Sequence, residues 1–163
     1  MHIIQRDGQP PLETFKVYYD GTEQLFPGYH VCWDQNPGIT DPASDWSEKV
    51  RGRVIAKPAT ANLLYYAGIV LRPPQKRLDP AGVYKGWCTI IRPRPGSYIS
   101  CRVQSNATAG TTYFRLTNDG GFALVDEATA NTRVTNTTLA IAAETSDTSS
   151  TIANKVVFFL GIT

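Results

Sequence analysis

The chain has 163 residues, a formal net charge of +2, 42% hydrophobic residues and 18% charged residues. This length suits one ordinary domain, which should bury about 70% of the surface that the unfolded chain exposes. No apolar stretch approaches the roughly 20 residues that span a bilayer, and residues 1–7 lack the basic flank and apolar run of a secretory signal. The sequence therefore predicts a protein that is made in the cytoplasm and has no membrane partner.

Strand-like segments separated by turn signals recur along the whole chain. The run 63–71 is almost continuously apolar, which is typical of a strand that is covered on both faces. Within 98–103, Ile99, Cys101 and Val103 alternate with other residues, as expected for a strand with one buried face. The predicted strands are 15–19, 29–33, 53–56, 63–71, 87–92, 98–103, 112–116, 122–125, 133–142 and 155–160.

This succession predicts an all-β, single-domain β-barrel or β-sandwich of about ten short strands, formed by residues 15–163. The turn-forming residues of 117–121 predict a hairpin. Pro10-Pro11 indicates that residues 1–14 form an extended N-terminal arm. An aspartate followed by a proline at the start of 41–49 predicts one short helix. No tandem repeat at a fixed period is visible.

The three cysteines do not form a pattern that predicts a disulfide framework or a metal site. Their number is odd, and they are widely spaced in the chain, at Cys32, Cys88 and Cys101. We expect reduced, buried thiols, because free cysteine commonly packs like a small hydrophobic residue. The sequence leaves open that Cys88 and Cys101 face each other across neighbouring strands.

Catalytic chemistry has few candidate residues in this chain. Alternation places His30, Cys32 and Asp34 on one face of a strand, which suggests a possible Cys-His-Asp nucleophile set. Residues at i and i+2 of one strand are about 7 Å apart, however, which is beyond hydrogen-bond reach. The two histidines and three cysteines also lack the spacing of a zinc site. The sequence predicts no enzyme, no catalytic residue, no metal and no cofactor.

Positive charge is concentrated in the middle of the chain. Residues 49–102 contain eleven lysines and arginines and a single acid, Asp79. One interpretation is a positive surface for an anionic partner, and the other is a set of solvated charges at strand edges. Aromatic residues within this stretch would also suit nucleic-acid binding, but a net charge of only +2 argues against it. No direct nucleic-acid partner is expected.

Three segments in order, Leu25 to Asp34, Val54 to Val70 and Asn106 to Leu116, resemble capsid decoration (cement) proteins of tailed bacteriophages. In those proteins a Pro-Gly-Tyr-x-Val-Cys strand precedes a Lys-Pro-x-Thr-x-Asn-Leu run that leads into an Ala-Gly-Ile-Val strand. An Ala-Gly-Thr turn follows later, and then a strand that ends near a pair of glycines, here Gly120-Gly121. The similarity covers roughly 25–125, about two-thirds of the chain.

The resemblance implies a structural virion protein that binds the outer surface of the capsid and bridges neighbouring major capsid protein subunits. It also implies a homo-oligomer, either a dimer or a trimer. Capsid-contact candidates come from the arm and the basic stretch: Ile3, Ile4, Arg6, Leu12, Phe15, Arg51, Arg53, Lys57, Arg92 and Arg94. Tyr65, Tyr66 and Trp87 are candidates for the oligomer interface, although core packing is favoured for them. The alternative function is a β-barrel binding module for carbohydrate or adhesion or, with less support, for nucleic acid.

Overall fold

Ten β-strands make up the regular structure of the part of the chain that the structure describes. The computed structural model describes residues 12–19, 21–34, 53–74, 84–104, 107–118, 121–126, 138–145 and 152–160. The strands are β1 Glu13–Tyr19, β2 His30–Trp33, β3 Val54–Ala56, β4 Tyr66–Arg72, β5 Gly86–Arg92, β6 Tyr98–Gln104, β7 Tyr113–Leu116, β8 Leu124–Asp126, β9 Thr138–Ala142 and β10 Ile152–Phe159. The prediction of an all-β protein of about ten strands is confirmed. Within these ranges there is no helix that could cross a membrane.

Some predicted segment boundaries differ from the observed ones. The last two residues of the predicted arm, Glu13 and Thr14, belong to β1 and pair with β5. Residues 1–11 and the predicted helix at 41–49 lie outside the described residues. The predicted strand 63–71 begins only at Tyr66, because the three residues before it form a turn.

The ten strands close into two five-stranded barrels, whereas the sequence predicted a single barrel or sandwich. Barrel 1 has the strand order β1-β3-β2-β4-β5, and barrel 2 has the order β10-β6-β8-β7-β9. Barrel 1 closes because all seven residues of β5 pair with β1, and β10 pairs with β6 over seven residues in the same way. Each barrel contains one parallel pair, β1 with β3 and β6 with β8.

Barrel 2 repeats barrel 1 strand for strand, with β6 to β10 in the places of β1 to β5. The pairing of β2 with β4 is interrupted by a bulge between Val31 and Cys32. The equivalent pairing of β7 with β9 is interrupted at the same step, between Phe114 and Arg115. Strand order, parallel pair and bulge therefore coincide, and this defines equivalent positions in the two barrels.

The turns that lead into β2 and β7 are also equivalent. Gly28 has φ +92° and Gly110 has φ +72°, both in the left-handed region that favours glycine. The N–H of Gly28 donates to the carbonyl of Val70 at 2.8 Å, and the N–H of Gly110 donates to that of Ala142 at 2.8 Å. Val70 and Ala142 are themselves equivalent, since they pair with Ile90 and Val157.

Two hydrophobic clusters hold the barrels together. The interior of barrel 1 is filled by residues of all five of its strands: Val17, Tyr19, Val31, Ile55, Ala67, Val70, Cys88 and Ile90. The second cluster combines the interior of barrel 2 with residues from the outside of barrel 1, namely Cys32, Tyr66, Ile69 and Ile91. Tyr66–Val70 is consequently buried on both faces, which confirms the interpretation of the apolar run.

Main-chain hydrogen bonds join the barrels at the start of β2. The N–H of Arg102 donates to the carbonyl of Gly28 at 2.9 Å, and the N–H of His30 donates to the carbonyl of Phe122 at 2.8 Å. At the equivalent place in barrel 1, the N–H of Tyr18 donates directly to the carbonyl of Arg53 at 2.9 Å. The segment 28–30 thus bridges the gap between β6 and the residues just before β8, which we call the seam of barrel 2. In barrel 1 the equivalent strand β1 bonds directly to the residue before β3, so its seam is closed.

Candidate functional site

The loop between β3 and β4 presents two apolar side chains on a fixed backbone. Asn62 is buried, and its side-chain oxygen accepts a hydrogen bond from the N–H of Ala59 at 2.7 Å. Its side-chain amide donates to the carbonyl of Lys57 at 3.0 Å. Leu64 and Tyr65, which follow in the same loop, are 70% and 45% exposed. These side chains are solvated while the main chain around them is held by hydrogen bonds.

The loop is also held on the side of β2. The N–H of Trp33 donates to the carbonyl of Tyr65 at 2.7 Å, and the N–H of Tyr65 donates to the carbonyl of Asn62 at 2.9 Å. A rigid loop loses little backbone freedom on binding, so its exposed apolar residues can contribute more of their burial to affinity.

A cleft between the barrels combines aromatic rings and cations. Tyr29 stacks on Phe122 with ring centroids 4.9 Å apart. The Nζ atom of Lys57 lies 5.5 Å from the centre of the Phe122 ring, and the guanidinium of Arg102 lies 5.4 Å from the centre of the Tyr29 ring. Lys57 also donates a 2.7 Å hydrogen bond to Glu23. The cleft encloses about 180 Å³.

A second pocket of about 250 Å³ adjoins this cleft. Both are lined by Glu23 and Lys57, so the ion pair of these residues stands between them. Ala59 and Asn62 of the fixed loop line the second pocket. We call the whole region the Lys57 surface, which comprises Glu23, Phe26, Tyr29, Lys57, Leu64, Tyr65, Arg102 and Phe122.

The basic capsid-contact candidates that the structure describes do not form one patch. Arg92 lies opposite Glu13 in the ladder at the start of β1, and Arg94 forms an ion pair with the same carboxylate. Lys57 follows β3, which pairs with the other end of β1. The two ends of β1 are about 20 Å apart at the usual rise of roughly 3.3 Å per residue, so Lys57 is distant from Arg92 and Arg94. Arg53 is exposed at the start of β3, and Arg51 lies outside the described residues.

The arm candidates that can be placed are packed within the molecule. Leu12 is partly buried against the cluster that includes the interior of barrel 2. Phe15 is partly buried against the interior of barrel 1. Ile3, Ile4 and Arg6 lie outside the described part of the chain. Their contact with a partner stays a prediction.

The three interface candidates occupy three different environments. Tyr65 is exposed on the fixed loop, whereas Tyr66 is buried and its hydroxyl lies 3.0 Å from Nδ1 of His30. Trp87 is half-buried on the outside of barrel 1, where Tyr18 packs edge-on at 5.6 Å. Only Tyr65 therefore belongs to the Lys57 surface.

The histidine and cysteines that suggested a nucleophile set are buried. Burial lowers the pKa of His30 to about 3, although the nearby Arg102 backbone opposes the shift, and Nε2 has no hydrogen-bond partner. Burial raises the pKa of Cys32 and of Cys88 to about 12, so both thiols are protonated near neutral pH. All three cysteines are free and buried, as predicted, and Cys88 and Cys101 lie in the interiors of different barrels.

No cluster of three histidine, cysteine or acidic side chains that could hold a metal ion occurs among the described residues. The features that sequence reasoning missed are the pairing of Tyr29 with Phe122 and the exposure of Leu64. The first depends on contact between the barrels, which no local pattern encodes. The second had a signal, since Asn62 directly precedes the apolar run and asparagine favours turns.

Comparisons with protein-family models, with curated proteins and with solved structures find no match to this chain. A functional interpretation consequently depends on the chemistry of the surfaces that the two barrels present. Of these, the Lys57 surface combines rigid exposed apolar side chains with two cations.

Proposed function

We propose that this protein is a capsid decoration protein that binds the outer surface of a tailed-phage capsid and stabilises the shell. It bridges neighbouring major capsid protein subunits, acts without catalysis, and resides on the exterior of the virion after synthesis in the host cytoplasm. The observation that carries the proposal is the fixed loop with Leu64 and Tyr65 exposed, because tyrosine is enriched among the anchors of protein–protein contacts and the adjacent leucine adds apolar area that a partner can bury.

The charges of the Lys57 surface, which are Lys57 and Arg102 against Glu23, sum to +1 and support a protein partner with an acidic surface. Lys57 lines both pockets and Arg102 lines the cleft, while Ala59 and Asn62, from the loop that carries Leu64 and Tyr65, line the second pocket. Arg102 is held over the ring of Tyr29, so its guanidinium is fixed before any partner arrives. Complementary charge at the rim of an apolar contact steers association and fixes its orientation.

A decoration protein stabilises a shell by binding the assembled lattice better than the free subunits. Many identical contacts around the particle then act together, so each contact can be modest. Two barrels joined by main-chain hydrogen bonds suit this role, because a scaffold that transmits force between subunits must not deform easily.

The proposal is tested by co-sedimentation of the purified protein with expanded phage shells that lack it. We expect saturable binding at a fixed ratio to capsid subunits and no binding to double-stranded DNA at the same salt concentration. A Leu64→Ser, Tyr65→Ser variant should bind at least tenfold more weakly. The matched control is Leu160→Ser, which removes an apolar side chain that is 36% exposed but lies outside the Lys57 surface.

Absence of shell binding, together with clear binding to DNA or to a glycan array, would contradict the proposal and favour a binding module instead. Aromatic rings in the cleft are the observation that favours this alternative. The cleft of about 180 Å³ is small for a sugar or nucleotide, however, since ligand pockets usually exceed roughly 300 Å³. Lys57 and Arg102 also occupy positions over the two rings on which a base or sugar would stack.

A further inference from the structure

The equivalence of the two barrels points to a surface on barrel 2 that the proposed function does not use. In barrel 1, an outward-facing row crosses four adjacent strands, because His30 pairs with Ile69, Ile69 pairs with Ile91, and Ile91 pairs with Thr14. Three members of this row, His30, Ile69 and Ile91, have no exposed surface. Ile69 and Ile91 are covered by barrel 2, whose interior residues belong to the same cluster.

Barrel 2 has the same row at equivalent positions. Tyr113 pairs with Ile141, Ile141 pairs with Phe158, and Phe158 pairs with Tyr98 across β7, β9, β10 and β6. Tyr113 is 37% exposed and the other three are partly exposed. The rings of Phe158 and Tyr98 are 4.9 Å apart, which makes one end of the row a continuous aromatic surface. We call these four residues the Tyr113 row.

We propose that the Tyr113 row binds a second copy of this chain and forms a two-fold symmetric dimer in which row packs against row. The same structural position in barrel 1 is already used to bind a barrel of the same topology. Without such a partner, a row of three aromatic residues and one isoleucine would leave a partly exposed, mainly aromatic band on the outside of barrel 2, where it does not contribute to the barrel's own core.

In an alternative arrangement, the Tyr113 row of one copy would pack on barrel 1 of the next copy in the way that barrel 1 packs on barrel 2. This arrangement is blocked. That contact inserts residues 28–30 into the seam of barrel 2, where they bond to Arg102 and Phe122. The corresponding seam of barrel 1 is sealed by the direct hydrogen bond from Tyr18 to Arg53. A self-complementary pairing of two Tyr113 rows needs no open seam, and it closes after two copies.

The size of the surface sets the expected affinity. β10 has eight residues, so the face is about 26 Å long, and four strands spaced roughly 4.8 Å apart make it about 15 Å wide. A standard interface buries about 800 Å² on each partner, and this face, about 390 Å² in projection, reaches only about half of that value, which is typical of a weak, reversible contact. We therefore expect a dissociation constant of about 1–100 μM.

The dimer is tested by sedimentation equilibrium of the free protein over a wide concentration range, without capsid shells. The mass should rise from that of the 17.9 kDa chain to twice that value as the concentration increases. Tyr113→Lys should weaken the dimer at least tenfold, because each of the two facing rows then carries a positive charge at the interface. Leu64→Lys is the matched control, since Leu64 is 70% exposed and lies on the loop between β3 and β4 of barrel 1, away from the row.

Cross-linking distinguishes the symmetric arrangement from any other. With Ile141→Cys, a bis-maleimide of about 10 Å should give covalent dimers and nothing larger, because facing sheets pack about 10 Å apart. Leu64→Cys should give none, and the three native thiols are buried. A wild-type protein that stays monomeric to about 500 μM would overturn the proposal, as would a dimer that a folded Tyr113→Lys variant leaves unchanged. Neither result depends on whether the protein binds a capsid.

Discussion

Barrel 1 and barrel 2 have the same topology, yet the residues at equivalent positions differ according to what each position faces. His30, Ile69 and Ile91 are completely buried against the neighbouring barrel, whereas Tyr113, Ile141 and Phe158 are partly exposed. Of these three pairs, only the isoleucine is retained. Strand order and bulge position are therefore kept by main-chain geometry, while side-chain identity follows the local environment.

The two barrels also differ in the residue that lies at the equivalent bulge. Gly68 in barrel 1 pairs with Val31, and Ala140 in barrel 2 pairs with Phe114, so the two residues are equivalent. Gly68 has φ +150°, and a Cβ atom there would lie 2.3 Å from the carbonyl oxygen of Ile91. Barrel 2 accommodates a methyl group at the same step. The contact of β4 with β5 is thus tighter than the equivalent contact of β9 with β10.

The largest expected effect comes from a substitution at this position. Gly68→Ala should lower the free energy of unfolding by about 3 kcal/mol, because the main chain of β5 must move to admit the methyl group. Ala140→Gly should cost only about 1 kcal/mol, since it removes a small buried group and adds chain flexibility. Urea denaturation of both variants checks this difference. Equal losses would show that the two bulges are packed alike.

A second difference is that barrel 1 places a histidine, whose ordinary pKa is close to neutral pH, where barrel 2 has Tyr113. The native pKa of His30, about 3, lies below its ordinary value of 6.5. Between these values the unfolded chain binds a proton that the native protein does not, so stability falls as the pH falls from 6.5 towards 3. The loss should be about 2 kcal/mol between pH 6.5 and pH 5.

The measurement is the free energy of unfolding of wild type and His30→Gln at several pH values above 5, where carboxylates contribute little. The variant should be less stable at pH 7 and should lose the slope between pH 6.5 and pH 5. A wild-type slope that His30→Gln leaves intact would place the titrating group elsewhere.

The hydrogen bond between His30 and Tyr66 should contribute less to the free energy of unfolding than the burial of the His30 ring. Tyr66→Phe removes the hydroxyl that lies 3.0 Å from Nδ1 of His30 and leaves both ring nitrogens without a partner. We expect a loss of about 1–2 kcal/mol. Tyr113→Phe, at the exposed position equivalent to His30, should change stability by no more than about 0.5 kcal/mol. Thermal or urea unfolding measures both.

Local patterns in the sequence were sufficient to identify the strands but not their partners. Alternation in 98–103 is matched by the complete burial of Ile99, Cys101 and Val103. The division into two barrels depends on which strand pairs with which, and side-chain periodicity does not encode that information. The repeat was invisible because equivalent residues such as Ile91 and Phe158 share their position in the barrel but neither identity nor burial.

The candidate site was predicted only in part for a related reason. Lys57 was a candidate for capsid contact and Tyr65 a candidate for the oligomer interface, and both lie on the Lys57 surface. Tyr65 was favoured as a core residue because it belongs to an apolar run, but the turn at Asn62 delays the strand until Tyr66. Phe122 and Arg102 reach the same cleft from barrel 2, and their approach to Tyr29 is a tertiary contact that sequence spacing does not reveal.

The smallest expected effect concerns the ion pairs, and it separates surface charge from barrel packing. Glu13→Gln removes the partner of Arg94, and about 40% of both side chains is exposed to solvent. Because exposed pairs are screened by water and salt, we expect a loss of no more than about 0.5 kcal/mol that vanishes in high salt. Glu23→Gln should behave in the same way for Lys57. A loss comparable to that of Tyr66→Phe would mean that charge at the ends of β1, and not only the buried contact between the barrels, holds barrel 1 closed.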